Sequence, residues 1–478
     1  MTKLDLKKKL RENIENNRET FIEAANRIWE TPETRFATKE SVKPFYDILL
    51  DEDFSIEKGV ADMEHAFVAT YGQGHPVIGI LTEYDALDNL SQVANLTEKK
   101  ELIPGGKGHG CGHNLLGIGA LSGAIGLKNV VKEAGLKGTI KVFGCPAEES
   151  GYGKSFMARE GLFDSLDVAL GWHPMDMTTA FSQSTLAVYQ VYYHFKGQSS
   201  HAGSSPELGR SALDAAELMN MGVQFLREHI IDQARIHYAF IDAGGASANV
   251  VQSSATLHYF IRAPKTAQVD AIYKRVNEVA KGAAQMTGTT VEIEFDSACS
   301  DYIPNKALTK LMHDNLSAAE FEVTKEELEF EKALMDTLPN GTVEGLINRG
   351  KVFFPNRSLE EIEEKANLAL NTEILPMMSL PPISGSSDVG DVSYVVPTAQ
   401  VVIACEPQGS PVHSWQWVAN GKSTVAHKGM LSAGKTIGMT ALDLFLNPEM
   451  LDDIKKEHFD NVGNKKFISP IPKDVKPK

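Results

Sequence analysis

Short apolar runs alternate with stretches of helical spacing along much of the chain. The runs 139–143 and 167–171 have the composition of buried strands, and helical stretches at 115–134 and 154–161 precede them. Strands that alternate with helices in this way are typical of a parallel sheet covered by helices. Further strand-like runs lie at 65–71, 77–81 and 399–404. The pattern predicts an α/β fold with a helix-covered mixed, largely parallel sheet.

The pattern changes between residues 184 and 301. Strand-like runs and amphipathic stretches follow one another there in the order β-α-β-β-α-β, which is typical of a ferredoxin-like domain. The strands are predicted at 186–196, 236–242, 255–262 and 290–295, and the helices at 206–230 and 269–284. We therefore expect residues 184–301 to form a domain inserted into a larger one, which comprises residues 1–183 and 302–478.

Helical spacing also marks both ends of the chain. Apolar residues recur at this spacing from 5 to 30, where Thr31-Pro32 ends the pattern, so a single N-terminal helix is expected. Other helices are predicted at 41–50, 324–332, 358–371 and 428–445. The Pro- and Lys-rich tail that follows is expected to be poorly ordered at its end.

Composition narrows the range of partners. The 478 residues carry a net charge of −16, which repels the phosphates of nucleic acids and anionic membranes. The charged N-terminus lacks the apolar core of a signal peptide, and no run of about 18 apolar residues is present. We expect a cytoplasmic protein with no nucleic-acid or membrane partner. The 4 cysteines are widely spaced and form no disulfide framework.

Two adjacent carboxylates, Glu148 and Glu149, follow the run 139–143, which Gly144 and Pro146 end. Ligands bind at the carboxyl ends of strands in open α/β sheets, and adjacent residues of an extended segment point in opposite directions. One glutamate could therefore bind a metal ion while the other faces a substrate. A pair of solvated loop charges is the alternative for an isolated Glu-Glu pair.

Cys111 and His113 lie in a glycine-rich loop, GGKGHGCGHN, directly before the helical stretch 115–134. The positive end of that helix would lower the pKa of the thiol and favour the thiolate, which metal ions bind. A phosphate-binding loop is disfavoured because the Lys-Ser/Thr signature is absent, whereas a cysteine nucleophile with His113 as its base is an alternative. His173 follows the run 167–171 as a further candidate ligand at a strand end, so a metal site is preferred.

Several segments, in this order, resemble a family of dinuclear metallopeptidases and amidohydrolases that includes carboxypeptidase G, aminoacylase and the auxin-conjugate hydrolases. The segments are HGCGHN, CPAEESGYGK, GWHP, SSHAGSSPELGRSALDA, the stretch 249–262, SGSSDVGDVS and HSWQWVANGKSTVAHKGM. The resemblance implies two divalent metal ions, Mn²⁺ or Zn²⁺, with Cys111 bridging them. His113 and His173 would complete the site of one ion, and Glu149 and His413 that of the other.

The resemblance also implies catalytic and substrate-binding roles. Glu148 matches the general acid and base of amide hydrolysis, and residues 184–301 match a lid and dimerisation domain. His201 matches a histidine that stabilises the oxyanion in the partner subunit's active site. The positions that match substrate-binding residues are Asn249, Arg262, Ser386 and Asp388. A homodimer is therefore expected, with a related second subunit as a further candidate partner.

One position departs from the family pattern. Many relatives carry a metal-binding histidine two residues before the aspartate that matches Asp85, and this chain has Glu83 there. His113 would replace that ligand. Glu83 and Asp85 are expected to orient a ligand from behind it, with plain surface charges as the alternative.

Together these assignments predict a metal-dependent amidohydrolase that cleaves N-acyl or N-aroyl amino acids, with p-aminobenzoyl-glutamate as a candidate substrate. A dipeptidase or an N-acyl amino acid deacylase is the alternative within the same chemistry. From another class, the alternative is a non-catalytic metal-binding partner subunit. Glu148 disfavours it, because a site that only binds metal needs no second carboxylate.

Overall fold

Two β-sheets organise the chain. A computed structural model describes them, within residues 1–377, 382–464 and 466–478. The strands are β1 (Ser55–Lys58), β2 (Phe67–Gln73), β3 (Val77–Glu83), β4 (Gly138–Cys145), β5 (Val168–Met175), β6 (Thr179–Phe181), β7 (Ala187–Lys196), β8 (Arg235–Asp242), β9 (Ser254–Ala263), β10 (Thr290–Cys299) and β11 (Thr398–Ala404). The helices are α1 (Lys3–Asn16), α2 (Arg18–Glu30), α3 (Lys43–Asp51), α4 (His113–Ala134), α5 (Gly153–Arg159), α6 (Ala212–Leu226), α7 (Thr266–Thr287), α8 (Lys306–Leu316), α9 (Lys325–Met335), α10 (Thr342–Phe353), α11 (Leu359–Ala366), α12 (Val389–Val395), α13 (Trp415–Asn420), α14 (Thr424–Leu446) and α15 (Met450–Val462).

The larger sheet has seven strands in the order β1-β2-β4-β3-β5-β11-β6. Its central strands β4, β3, β5 and β11 are parallel, and the outer strands pair antiparallel. The predicted mixed, largely parallel sheet is therefore confirmed. Parallel strands end at the same edge of a sheet, so β3 and β4 bring Glu83 beside Cys145, and β5 brings His173 to the same edge.

Helix α4 packs against the larger sheet and against α14. It is long and apolar enough to span a membrane, and 94% of its most apolar window is buried inside the fold. The two helices meet at glycines: a Cβ on Gly434 of α14 would lie 2.7 Å from the carbonyl oxygen of Gly119 in α4. Glycine permits this close approach. The packing fixes the position of α4, whose first residue is His113.

The smaller sheet has the order β10-β7-β9-β8, and all its pairs are antiparallel. Helices α6 and α7 pack against it. The chain order β7-α6-β8-β9-α7-β10 confirms the predicted ferredoxin-like fold. All of these elements lie inside the stretch 184–301 that the sequence predicts as an insertion.

The N-terminal helix predicted over 5–30 is wrong in one respect, because α1 and α2 are separate helices that meet at Asn17. The side-chain amide of Asn17 donates to the carbonyl oxygen of Asn13 at 2.8 Å. An asparagine side chain that bonds to the backbone in this way competes with helix continuation. The apolar spacing continues through the break, so periodicity alone does not reveal it.

The helix predicted over 206–230 begins later than expected, at Ala212. The hydroxyl of Ser211 accepts a hydrogen bond from the N–H of Asp214 at 3.0 Å, which caps the helix there. The residues before it form a separate short turn, 206–208. The sequence pattern predicts no helix at the positions of α8, α10, α12, α13 and α15.

The C-terminal tail packs against the rest of the chain, in contrast to the poorly ordered end that its composition predicts. Ile471 is 2% exposed and lies in the hydrophobic core. The guanidinium of Arg159 donates to the carbonyl oxygens of Pro472 at 2.9 Å and Val475 at 2.8 Å. This buried side chain, these carbonyl acceptors and the ion pair of Lys476 with Asp62 dock the segment.

Candidate metal centre

The side chains that the sequence predicts as metal ligands lie together at one edge of the larger sheet. The ligand atoms of Cys111, His113 and His173 lie within 4.8 Å of one another, and so do those of Cys111, Glu149 and His413. These two triads share the Cys111 sulfur, as a thiolate that bridges two metal ions would require. The structure brings all five residues together, and we call them the ligand cluster.

Two residues near the Cys111 sulfur have a left-handed backbone conformation. Gly112 has φ +70°, and a Cβ there would lie 2.7 Å from Cγ of Pro174, so only glycine fits without displacement. His413, in the second triad, has φ +64°, and its backbone N–H donates to the carbonyl oxygen of Gly110 at 3.0 Å. Left-handed backbone at a non-glycine residue is often found at functional sites.

Hydrogen bonds at Nδ1 orient the rings of two histidines of the ligand cluster, so that Nε2 faces the other ligands. Nδ1 of His173 lies 2.7 Å from a backbone carbonyl oxygen, and its Nε2 lies 3.4 Å from the sulfur of Cys111. Nδ1 of His113 lies 3.1 Å from a carboxylate oxygen of Asp85. The other oxygen of Asp85 accepts from the backbone N–H of Glu149 at 3.0 Å. Such partners fix the tautomer of a histidine that binds metal.

Two buried atoms of the ligand cluster lack a hydrogen-bond partner among the described residues. They are Nε2 of His113, which lies 3.2 Å from Oε2 of Glu83 but forms no hydrogen bond with it, and Oε1 of Glu149, which lies 4.0 Å from that nitrogen. Leaving buried polar atoms unpaired is costly, and a cation held between them would satisfy both. A donor set of thiolate, imidazole and carboxylate suits zinc and also admits manganese. The residues present therefore fit a metal centre.

Burial and neighbouring charges set the protonation of three ligands. Burial raises the pKa of Glu149, but its hydrogen bond with His413 and the charge of His113 outweigh this and leave the pKa at about 2. Burial and the nearby charge of His113 lower the pKa of His173. Glu149 is therefore ionised and His173 is neutral, which are the forms that bind metal. Burial lowers the pKa of His113, but the charges of Cys111, Glu83 and Asp85 outweigh burial and raise this pKa, so the ligand must lose a proton when an ion binds.

Cys111 behaves differently from the expectation drawn from its position before a helix. Burial raises the pKa of its thiol well above the usual range, and the charge of Glu149 raises it further. The prediction that the helix N-terminus lowers the pKa of this thiol is therefore wrong for the protein without a bound metal ion. A buried thiol of this kind is a poor nucleophile, which disfavours the covalent alternative, whereas a metal ion deprotonates a thiol that coordinates it. All four cysteines are free and buried.

Glu148 lies beside the ligand cluster. One of its carboxyl oxygens, a carboxyl oxygen of Glu83 and a ring nitrogen of His113 lie within 4.8 Å of one another. Burial raises the pKa of Glu148 well above its usual range, and the charges of Glu83, Asp388 and Glu149 raise it further. Unlike Glu149, this carboxyl group can gain and lose a proton, as a general acid and base must.

A buried lysine beside the ligand cluster was missed in the sequence. Lys154 is 0% exposed, and its Nζ lies 2.6 Å from a carboxylate oxygen of Glu83 and 2.7 Å from one of Asp388. The backbone N–H of Lys154 donates to the other oxygen of Asp388 at 2.8 Å. The one signal in the sequence is a lysine at the end of CPAEESGYGK, and nothing local indicates that it is buried.

Two of the predicted substrate-binding residues meet between the smaller sheet and the loop before α12. The guanidinium of Arg262, in β9, donates to the hydroxyl of Ser386 at 2.8 Å. Asp388, from the same loop, is 0% exposed, and its contacts with Lys154 favour a supporting role over direct contact with a substrate.

His201 and Asn249 lie together on the surface of the unit that the smaller sheet forms with α6 and α7, which we call the smaller-sheet unit. Both are exposed, and the carbonyl oxygen of Asn249 accepts from the N–H of Ala202 at 2.9 Å. Nδ1 of His201 accepts from the N–H groups of Gly203 and Ser204, each at 3.1 Å. Within the described ranges, neither side chain forms a hydrogen bond with the ligand cluster.

Comparisons with known proteins match both the sequence and the fold. Residues 80–415 match the model of peptidase family M20/M25/M40. The chain is 43% identical over 479 residues to one of the subunits of the p-aminobenzoyl-glutamate hydrolase of Escherichia coli K12, a match that covers 97% of each protein. It is 30% identical over 385 residues to the Xaa-Arg dipeptidase of Mus musculus, across 80% of this chain and 73% of the relative.

Solved structures resemble the fold at low sequence identity. An aminobenzoyl-glutamate utilization protein from Klebsiella pneumoniae superposes with a TM-score of 0.61 and 18% identity, over 91% of this chain and 98% of the other. A dinuclear metal-binding peptidase of the M20 family from Bacillus subtilis superposes with a TM-score of 0.54 and 17% identity, over 90% and 99% of the two chains. These likenesses concern the fold.

Proposed function

The chain belongs to peptidase family M20/M25/M40, and we propose that it hydrolyses the amide bond of an N-aroyl or N-acyl amino acid. The relative with 43% identity is named as part of a hydrolase of p-aminobenzoyl-glutamate, so this compound is the leading candidate substrate. The observation that carries the proposal is the pair of ligand triads that share the Cys111 sulfur, with the protonatable carboxyl group of Glu148 beside them.

The ligand cluster would hold two divalent metal ions, Zn²⁺ or Mn²⁺, bridged by Cys111. When bound, such ions polarise an amide carbonyl and lower the pKa of a water molecule. Glu148 would take the proton of the attacking water and deliver it to the leaving amine. Asp85 would support this arrangement, because its hydrogen bonds hold both His113 and the backbone of Glu149.

Residues of the smaller-sheet unit would bind the acidic part of the substrate. The guanidinium of Arg262 suits a bidentate contact with a carboxylate, and Asn249 would assist it. We propose that residues 184–301 form a lid and dimerisation domain on a catalytic domain of residues 1–183 and 302–478. His201 would then reach the active site of a partner subunit and stabilise the oxyanion there.

Two other functions have specific support. The identity to the Xaa-Arg dipeptidase favours a dipeptidase or an N-acyl amino acid deacylase as the second candidate. Two of the Escherichia coli relatives are named as different subunits of one hydrolase, which supports a related second subunit as a partner besides a second copy of this chain. We further propose that the protein acts in the cytoplasm.

Metal analysis of the purified protein, joined to a substrate panel, tests the proposal. We expect about two equivalents of zinc or manganese per chain and release of p-aminobenzoate from p-aminobenzoyl-glutamate in preference to hydrolysis of dipeptides and N-acyl amino acids. Removal of the metal with a chelator should abolish activity, and its return should restore it. Faster hydrolysis of Xaa-Arg dipeptides would favour the second candidate. Activity that resists the chelator would refute a metal-dependent reaction.

A further inference from the structure

Lys154 is a buried cation with two carboxylate partners, beside the ligand cluster. Its Nζ lies 2.6 Å from Glu83 and 2.7 Å from Asp388. Burial of the three charged groups strengthens each of these interactions compared with the same contact in water. One positive charge is shared between two negative ones.

Glu83 itself is close enough to serve as a metal ligand. Its Oε2 lies 3.2 Å from Nε2 of His113, and a carboxyl oxygen of Glu83 lies within 4.8 Å of ligand atoms of both His113 and Glu148. Its other oxygen, Oε1, is the atom that Lys154 contacts. The carboxylate is therefore held between a lysine and a metal-binding histidine.

Asp388 holds Lys154 independently of Glu83. The lysine would therefore stay in place if Glu83 moved towards the ligand cluster. Asp388 accepts from both the ammonium and the backbone N–H of Lys154, at 2.7 Å and 2.8 Å. The next residue, Ser155, donates through its hydroxyl to Asp391, which also accepts from the N–H of Ser300 at 3.1 Å. These bonds fix the start of α5 to the start of α12.

We infer that Lys154 is a positioning residue that keeps the Glu83 carboxylate out of the metal coordination. The inference rests on the proposed function, because it concerns the same site. Without the lysine, the free carboxylate beside His113 would join the metal ions as an additional ligand. The ions would then be held more tightly, and their position relative to Glu148 would change. A residue that only stabilises the fold would have the opposite effect on metal affinity.

The test is Zn²⁺ retention in competition with a chromogenic chelator, measured on the full-length protein with Lys154→Met. We expect Zn²⁺ to be retained about tenfold more tightly than in the unaltered protein, because a further carboxylate ligand adds negative charge to the site. The kcat for p-aminobenzoyl-glutamate should fall by about tenfold or more, with little change in KM. Addition of Glu83→Gln to this variant should return Zn²⁺ retention to the level of the unaltered protein.

A second variant covers the case in which Lys154→Met does not fold. Lys154→Met combined with Asp388→Asn removes one charge of each sign and leaves Glu83 as the unpaired carboxylate, so the same tighter retention is expected. Lys128→Met is the matched control: Lys128 is 4% exposed and pairs with Glu52 at 2.8 Å. It loses a comparable ion pair away from the ligand cluster, so Zn²⁺ retention and kcat should not change.

Unchanged or weaker Zn²⁺ retention in a folded variant without Lys154, with a circular dichroism spectrum like that of the unaltered protein, would overturn the inference. The chelator measurement needs no substrate. It therefore reports on Lys154 even if p-aminobenzoyl-glutamate is not hydrolysed, whereas failure of the unaltered protein to bind metal would refute the proposed function instead.

Discussion

At the scale of single residues, adjacent carboxyl groups differ in their protonation. Glu149 is ionised at the ligand cluster, whereas burial among other carboxylates raises the pKa of its neighbour Glu148 and favours the protonated form. We expect Glu148→Gln to lower kcat by about 10²- to 10⁴-fold, because the amide keeps the shape but loses the transferable proton. Its metal content, measured by mass spectrometry, should equal that of the unaltered protein.

Glu331→Gln is the control for that substitution. Glu331 is 0% exposed, and burial raises its pKa to about 8, so at lower pH the amide replaces a carboxyl group that is already neutral. We expect activity close to that of the unaltered protein. A Glu148→Gln protein that binds metal and retains full activity would show that the proton is transferred elsewhere.

At the scale of secondary-structure elements, the close contact between α4 and α14 positions the loop that carries Cys111. A methyl group on Gly434 would lie 2.0 Å from the hydroxyl of Ser122 and 2.7 Å from the carbonyl oxygen of Gly119. We expect Gly434→Ala to lower stability by about 1–2 kcal/mol, because overpacking outweighs the gain in helix propensity. Thermal unfolding followed by circular dichroism would measure this change.

Gly282→Ala is the matched control within another helix. A Cβ on Gly282 of α7 would meet nothing within 4 Å, so this substitution should raise stability by up to about 1 kcal/mol through helix propensity alone. If Gly434→Ala stabilised the protein equally, the contact between the two helices would not limit their packing.

The elements also show which parts of the site could be predicted from the sequence. Apolar runs locate β4 and β5, so the chemistry at their carboxyl ends, Glu148 and His173, follows from local pattern. The position of Lys154 in the site does not follow from local pattern, because this residue contacts Asp388 across 234 residues of sequence and its burial depends on the folded sheet. Helix α10, with Leu346 as its buried residue, carries too narrow an apolar stripe to be recognised.

At the scale of the whole molecule, the smaller sheet has an edge that pairs with no other strand among the described residues. Strand β8 is at the end of the sheet order, and its residues Tyr238, Phe240 and Ile241 are 40%, 41% and 59% exposed. Exposed apolar side chains along an edge strand are a ready surface for pairing with another chain. His201 lies on the same unit and is exposed, and among the described residues it forms no hydrogen bond with the ligand cluster of its own chain. Both observations support the proposed homodimer.

Mixing two inactive variants tests whether the active site is shared between subunits. We assume that each active site combines Glu148 of one subunit with the partner subunit's His201. A hybrid dimer of one Glu148→Gln chain and one His201→Ala chain then contains one intact site. Random reassociation makes half of the dimers hybrids, so the mixture should recover about a quarter of the original activity. A mixture of His201→Ala with the double variant has no intact site and should stay inactive. If the first mixture also stays inactive although gel filtration shows hybrid dimers, His201 does not act across the interface.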